Sequence, residues 1–204
     1  NDGWVEHDAQ EIWRDVEHLI RRTIKKNKLR PSQIISIGIT NQRETTVLWN
    51  KNNGKPIYKA IVWQDRRTSK YCLKLKKNKN YKKIKKITGL EIDPYFSATK
   101  INWIIDNVKS AKKDIENNNI FFGTIDTWLL WNLTEGRSHL TDITNASRTM
   151  IFDSTKEEWS NELLKLFKIN KSLLPEVREN SFNFGSTKLF GGNIVIGGMA
   201  GDQQ

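Results

Sequence analysis

At 204 residues the chain exceeds one minimal domain, and it can bury about 70% of its unfolded surface without a disulfide or metal staple. Hydrophobic residues at 37% and eight Trp exclude a disordered chain, while four Pro and twelve Gly exclude collagen-like or low-complexity sequence. The net charge of +11 is local: Lys70–Lys86 holds nine Lys and no acid, and the rest of the chain carries only +2.

In chain order, Asp8–Lys26 reads as a helix. Asp8 and Glu11 form a D-x-x-E capping pair, and Ile12, Trp13, Val16, Leu19, Ile20 and Ile24 recur at the 3.6-residue period. Acids open it, Arg21, Arg22, Lys25 and Lys26 close it, and Pro31 is the expected stop. Ile34–Ile39 is a short β-branched run, expected as a strand buried on both faces. Thr45–Trp49 and Ile57–Trp63 flank Asn52-Asn53-Gly54 and predict a hairpin. Helices are expected over Asp65–Lys76, Ser97–Val108 (Ser97 as its cap), Asp126–Leu133 and Lys156–Phe167, and a last buried strand over Asn193–Ile196. Strands mixed with helices, plus an early hairpin, predict an α/β layered fold with a mixed sheet. The glycine-rich stretch Gly185–Gly198 is the expected domain boundary.

Several function classes drop out. No stretch approaches 18 apolar residues, and the best candidate, Ile120–Trp131, is interrupted by Asp126, so no membrane span is expected. The opening Asn1-Asp2-Gly3-Trp4 does not resemble a basic-then-apolar leader. Without an initiator Met, and ending at Gln204 after a glycine-rich turn, the chain reads as a piece of a longer one. A single Cys72 and the scattered His7, His18 and His139 predict no disulfide, no metal site and a reducing, cytoplasmic compartment. The lysine run lacks Arg and interleaved aromatics, so it reads as a solvated helical face. The alternative, a nucleic-acid-binding module, would show affinity falling steeply with salt.

Chemistry concentrates after buried strands, where α/β sheets place ligand contacts. Asn41-Gln42-Arg43-Glu44-Thr45 sets an Arg fork beside a carboxylate, able to donate to and accept from the neighbouring hydroxyls of a small polyol. An internal Arg–Glu pair in a loop is equally compatible with these residues. Gly201-Asp202-Gln203-Gln204 places a carboxylate that can take a proton from an alcohol; Asp202 as a helix N-cap is the bland reading. Tyr95–Asn107 and Val62-Trp63-Gln64-Asp65-Arg66-Arg67 join aromatics to polar groups at element ends, with Trp103 and Ile104 facing inward.

The thirteen residues Tyr95–Asn107, with Lys100 and Trp103 in register, resemble the signature of the FGGY carbohydrate kinases. Asn41–Thr45, Ala60–Thr68, Ile92–Ser97, Gly123–Leu129, Thr144–Met150 and Ala200–Gln204 resemble the members that act on glycerol, and the similarity covers essentially the whole chain. Xylulose-type members usually carry a different polar cluster where Arg43 and Glu44 stand. The resemblance implies a ribonuclease-H-like (actin-like ATPase) α/β fold, of which this chain is most of the first of two domains. Residues 1–198 would be the polyol-binding domain and residues 199–204 the start of the segment leading into the second. It implies ATP- and Mg²⁺-dependent phosphorylation of glycerol in a cytoplasmic homo-oligomer, dimer or tetramer. Arg43, Glu44, Tyr95, Asp202 and Gln203 would line the glycerol site, Trp63 would supply an apolar wall and Asp202 would act as general base. A kinase for another polyol or sugar is the runner-up. The phosphate-binding hairpin would lie before Asn1 and the nucleotide-binding residues after Gln204, so the segment alone is expected to be inactive. Relatives inhibited by fructose 1,6-bisphosphate carry a longer loop with an Arg; here Phe190-Gly191-Gly192-Asn193 is short, and no Arg falls between Arg178 and Gln204.

Overall fold

The computed structural model describes residues 2–77 and 80–204, so Lys79 of the lysine run lies outside the described residues. A short strand β1 (Glu6–His7) leads to Asp8, whose carboxylate accepts the N–H groups of Gln10 and Glu11 at 2.8 and 3.1 Å. That cap starts α1 (Ala9–Lys26). Pro31 does not end the helix. The N–H groups of Lys28 and Leu29 turn back to the carbonyls of Lys25 and Ile24, with Lys28 left-handed at φ 51°. Pro31 instead opens a 3₁₀ turn, Pro31–Gln33.

β2 (Ser36–Asn41) pairs in parallel with the C-terminal strand β11 (Ile194–Gly201), which pairs antiparallel with β10 (Ser181–Thr187). The glycine-rich 185–198 stretch lies within this β10–β11 pair. β2 is not buried on both faces. Ile39 and Asn41 are buried, Ser36, Gly38 and Thr40 are exposed, and Ile35 just before it is 93% exposed. Among the described residues β2 pairs only with β11, and its exposure alternates as it does in a strand with one face packed.

The Asn52-Asn53-Gly54 turn forms, with Gly54 at φ 66° and its N–H on the Asn50 carbonyl at 2.8 Å. Its arms are shorter than expected: only Val47–Asn50 (β3) and Ala60–Ile61 (β4) are strands, and scattered bonds such as Ile57 N–H to the Leu48 carbonyl join the two segments. β4 pairs with β1, and β3 pairs antiparallel with β5 (Ile120–Gly123). The lysine run folds as α2 (Ser69–Lys76) and α3 (Asn80–Thr88), with Lys83 on Glu162 at 2.5 Å and Lys85 on Glu91. Then follow α4 (Ser97–Asn107), α5 (Lys112–Glu116) and α6 (Ile125–Leu133). Strand β6 (Leu140–Asp142) runs parallel to β9 (Glu176–Arg178), with α7 (Ile143–Ala146) after it. The expected helix at Lys156 is shorter. Glu157 turns left-handed at φ 54°, β7 (Phe152–Asp153) and β8 (Glu158–Trp159) form a hairpin, and Ser160 caps α8 (Asn161–Phe167).

Two cores flank β3. Leu48, with Ile120 and Phe122 of β5, joins a cluster with Ile101, Ile104 and Met150. Val47 and Trp49 join Trp128, Leu130, Ile194 and Ile196 in the other, against which α1 lays Ile12, Trp13, Val16, Ile20 and Ile24. Leu19 of the predicted stripe stays exposed.

The helix expected from Asp65 begins only at Ser69, because Asp65 is otherwise engaged. Its carboxylate accepts the Val5 and Arg67 N–H groups at 2.7 and 2.8 Å and the Arg67 guanidinium at 2.8 and 2.9 Å. Arg67 also reaches Glu6 at 2.7 Å, and its guanidinium lies 3.9 Å from the Trp4 ring and 4.5 Å from that of Trp103. Trp103 is therefore half-buried against a cation rather than set in plain core. Burial alone would lower the Arg67 pKa, but Asp65 and Glu6 outweigh it and raise it. Removing one partner of a buried ion pair strands the other charge. Asp65→Ala should therefore destabilise the protein by about 3–5 kcal/mol, measured by denaturant unfolding; a loss below about 1 kcal/mol would show that Glu6 alone satisfies Arg67.

Candidate active site

The β2–β11 register sets Asn41 opposite Gly201, and the Asp202 N–H continues the ladder to the Asn41 carbonyl at 3.1 Å. Residues just past both strand ends therefore meet. Arg43 crosses directly over Gly201, where an added Cβ would lie 2.2 Å from Arg43 Cδ. That close approach explains the glycine. Arg43 Nε stands 3.5 Å from Asp202 Oδ1 and is buried without a hydrogen-bond partner, while Nη1 donates to Gln204 Oε1 at 3.1 Å. The Asp202 side chain is 45% exposed, and Gln203 is exposed beside it.

Glu44 is buried and left-handed, at φ 61°. A carboxylate residue adopts that backbone only where its surroundings hold it there. Its Oε1 accepts from Arg148 Nε at 2.7 Å; burial raises its pKa, and the Arg148 bond opposes the rise. The Arg148 guanidinium also stands 5.6 Å from the Tyr95 ring and 4.9 Å from that of Phe96. Tyr95 meets Trp63 edge to face, with centroids 5.4 Å apart. Arg148 thus links the Glu44 side to the Trp63–Tyr95 wall. Ser97 is not the cap of α4: Phe96 occupies that position, and the Ser97 hydroxyl donates to the Glu44 carbonyl at 3.2 Å.

Behind the strand ends lies a buried polar network. The Asn41 and Asn145 amides exchange hydrogen bonds at 2.9 and 3.1 Å. Asn145 also donates to Asp142 at 2.7 Å, and Asp142 accepts from Asn180 at 2.9 Å while capping α7. The Thr144 hydroxyl accepts the Gly201 N–H at 2.8 Å, tying β11 to α7. Asp126 accepts from Asn41 at 3.3 Å and Thr141 at 2.6 Å; burial pushes its pKa up to about 6. Arg148, Asn41, Asn145 and Asp126 all lay inside motifs quoted from the sequence, but no spacing rule marked them, because they act across chain separations of 85 residues or more. Among the described residues, no group of three or more His, Cys, Asp or Glu could hold a metal ion. No helix there is long and apolar enough to cross a membrane.

The model of the FGGY family of carbohydrate kinases, N-terminal domain, matches residues 1–204, and the chain belongs to that family. It is 53% identical over 206 residues to a glycerol kinase of Francisella philomiragia, and 53% over 205 residues to a glycerol kinase of Lactobacillus acidophilus. Each alignment takes in 99% of this chain and 41% of the relative. The crystal structure of Plasmodium falciparum glycerol kinase with ADP superposes with a TM-score of 0.94 at 40% identity, over 100% of this chain and 41% of that one. A xylulose kinase from Rhodospirillum rubrum, 18% identical with a TM-score of 0.84 over 100% of this chain and 42% of its own, shares the fold. The fold is the mixed α/β, ribonuclease-H-like (actin-like ATPase) fold of these kinases.

Gly201→Ala should push Arg43 off the strand end and cost about 1–3 kcal/mol of stability, read by denaturant unfolding. In an Arg43→Ala background the same substitution should cost much less, because the clashing side chain is gone. Equal losses in both backgrounds would place the strain elsewhere.

Proposed function

We propose that the full-length protein carrying this chain transfers the γ-phosphoryl group of ATP to a terminal hydroxyl of glycerol, giving sn-glycerol 3-phosphate. The observation that carries this reading is the meeting of Arg43 and Asp202 at adjoining strand ends, with Glu44 next to Arg43 in the chain and joined through Arg148 to the Trp63–Tyr95 wall. Arg43 and Glu44 offer a donor fork and an acceptor to neighbouring hydroxyls; Tyr95 and Gln203 add polar contacts, and Trp63 covers the carbon chain. Asp202, half-exposed and beside Arg43, takes the proton as the hydroxyl oxygen bonds to phosphorus and the bond to the departing ADP breaks. Phosphoryl transfer asks mainly for positioning and charge stabilisation, which groups fixed at strand ends supply. Mg²⁺ would neutralise the phosphates; no residue of this chain is proposed as its ligand, and no step here depends on the ion.

In the same proposal residues 1–198 form the polyol-binding part, and residues 199–204 lead into a second domain. A cytoplasmic homo-oligomer completes it. ADP release with glycerol, erythritol, xylulose and gluconate tests the reading; a preference for any substrate other than glycerol would favour the runner-up, a kinase for another polyol or sugar.

In the full-length enzyme, Asp202→Asn should lower kcat by about 10²–10⁴-fold with little change in KM for glycerol or in melting temperature. Arg43→Ala should raise KM as well, since it removes a binding fork. Near-normal kcat in Asp202→Asn would leave Asp202 as a cap or surface residue. Fructose 1,6-bisphosphate should inhibit weakly or not at all, since the 190–193 loop offers no Arg to hold a phosphate; inhibition at low millimolar concentration would refute this.

A further inference from the structure

Lys100 is fully buried, yet among the described residues no carboxylate oxygen receives its ammonium. Its Nζ donates instead to two main-chain carbonyls, Tyr95 at 2.6 Å and Glu44 at 3.3 Å. Ser97, one helical turn earlier on α4, donates its hydroxyl to the same Glu44 carbonyl at 3.2 Å. Thr46 adds a third donor to that oxygen at 3.1 Å. Glu44 is the residue held at φ 61°, so the donors gather on a backbone that would relax if released. Nothing about plain core packing asks for a lysine here, since burying one is costly. Burial pulls its pKa down to about 7, opposed by Glu44, Asp65 and Asp93 and assisted by Arg67. Protonated or neutral, the amine keeps at least two N–H donors, enough for both carbonyls.

We infer that Lys100 and Ser97 are positioning residues for polyol binding: from one turn of α4 they staple the Glu44 and Tyr95 main chains, setting the distance between the acceptor and the aromatic wall. The inference rests on the proposed glycerol reading. Lys100 touches neither substrate nor reacting atoms in this scheme and acts through the two residues it holds. A misplacement of a contact residue by about 1 Å can cost two orders of magnitude, so the staple matters more than its bonds alone.

The test uses the full-length enzyme with glycerol as varied substrate. Lys100→Met keeps the length and apolar stem but removes every donor. We expect KM for glycerol to rise about 10-fold or more, with KM for ATP changed less than about 2-fold. Ser97→Ala should raise glycerol KM by a smaller factor, about 2- to 5-fold, because Lys100 and Thr46 still hold the carbonyl. Combined with Glu44→Ala, Lys100→Met should add far less than it does alone, since much of its effect passes through Glu44. A purely structural lysine would lower the melting temperature and leave glycerol KM of the folded enzyme unchanged, and that outcome overturns the inference. Should Lys100→Met fail to fold, Ser97→Ala and Lys100→Gln carry the same measurement, and unchanged glycerol KM in both overturns it. A wild-type enzyme that does not phosphorylate glycerol refutes the functional reading, and this inference with it; glycerol turnover with unaltered KM in the variants refutes this inference alone.

Discussion

The parallel pairing of β2 with β11 is the constraint on which the site depends. It joins segments far apart in sequence and ends both strands at the same level, so Arg43 and Asp202 emerge side by side. Parallel strands with crossovers deliver loop residues to one edge of a sheet in this way. The pairing also forces a glycine at position 201, because the Arg43 side chain occupies the space a Cβ would need. Backbone hydrogen bonding thus decides which side chains meet, and side-chain volume decides which residue the strand must carry there.

Holding two strand ends in register requires something rigid behind them. The protein uses buried polar groups rather than an apolar plug: Asn41, Asn145, Asp142 and Thr144 interlock and end on the Gly201 N–H. Such groups cost free energy to desolvate unless each finds partners, and most of the costly groups here do. Burial pushes the Asp126 pKa up to about 6, and the hydrogen bonds it accepts from Thr124 and Thr141 oppose the rise. The Arg43 Nε has no such partner and faces Asp202 across 3.5 Å. This buried donor, left unmatched beside a half-exposed carboxylate, lies where glycerol binding is proposed.

Helix starts and periods were legible: Asp8 and the 3.6-residue stripe place α1 almost to the residue, and Ser97–Asn107 and the helix through Asp126 appear as expected. The candidate site residues were legible through strand ends followed by polar clusters, together with the resemblance those clusters carry. What failed were boundaries set by long-range contact. Asp65 looks like the first residue of a helix until Val5 and Arg67 claim its carboxylate. Glu158-Trp159 looks helical until it pairs with β7, and the Trp159 indole finds the Pro175 carbonyl. Ile34–Ile39 looks doubly buried because branched residues suit both settings, and only the packing of one face, seen in the alternating exposure of β2, distinguishes them. Arg148 and Lys100 were quoted in motifs, but their roles depend on the fold bringing Glu44 to them.

β3 is a wall common to two rooms. Its alternating side chains, Leu48 to one core and Val47 and Trp49 to the other, make each cluster lose a face if that strand leaves. Two apolar clusters in a chain of this size could otherwise melt one after the other, as separable units with their own stabilities. Sharing a strand couples them: opening either core exposes the back of the other, so the intermediate with one core folded carries the exposed surface of both. Unfolding should then be cooperative across the whole domain, and hydrogen exchange of the β3 amides should report global rather than local opening.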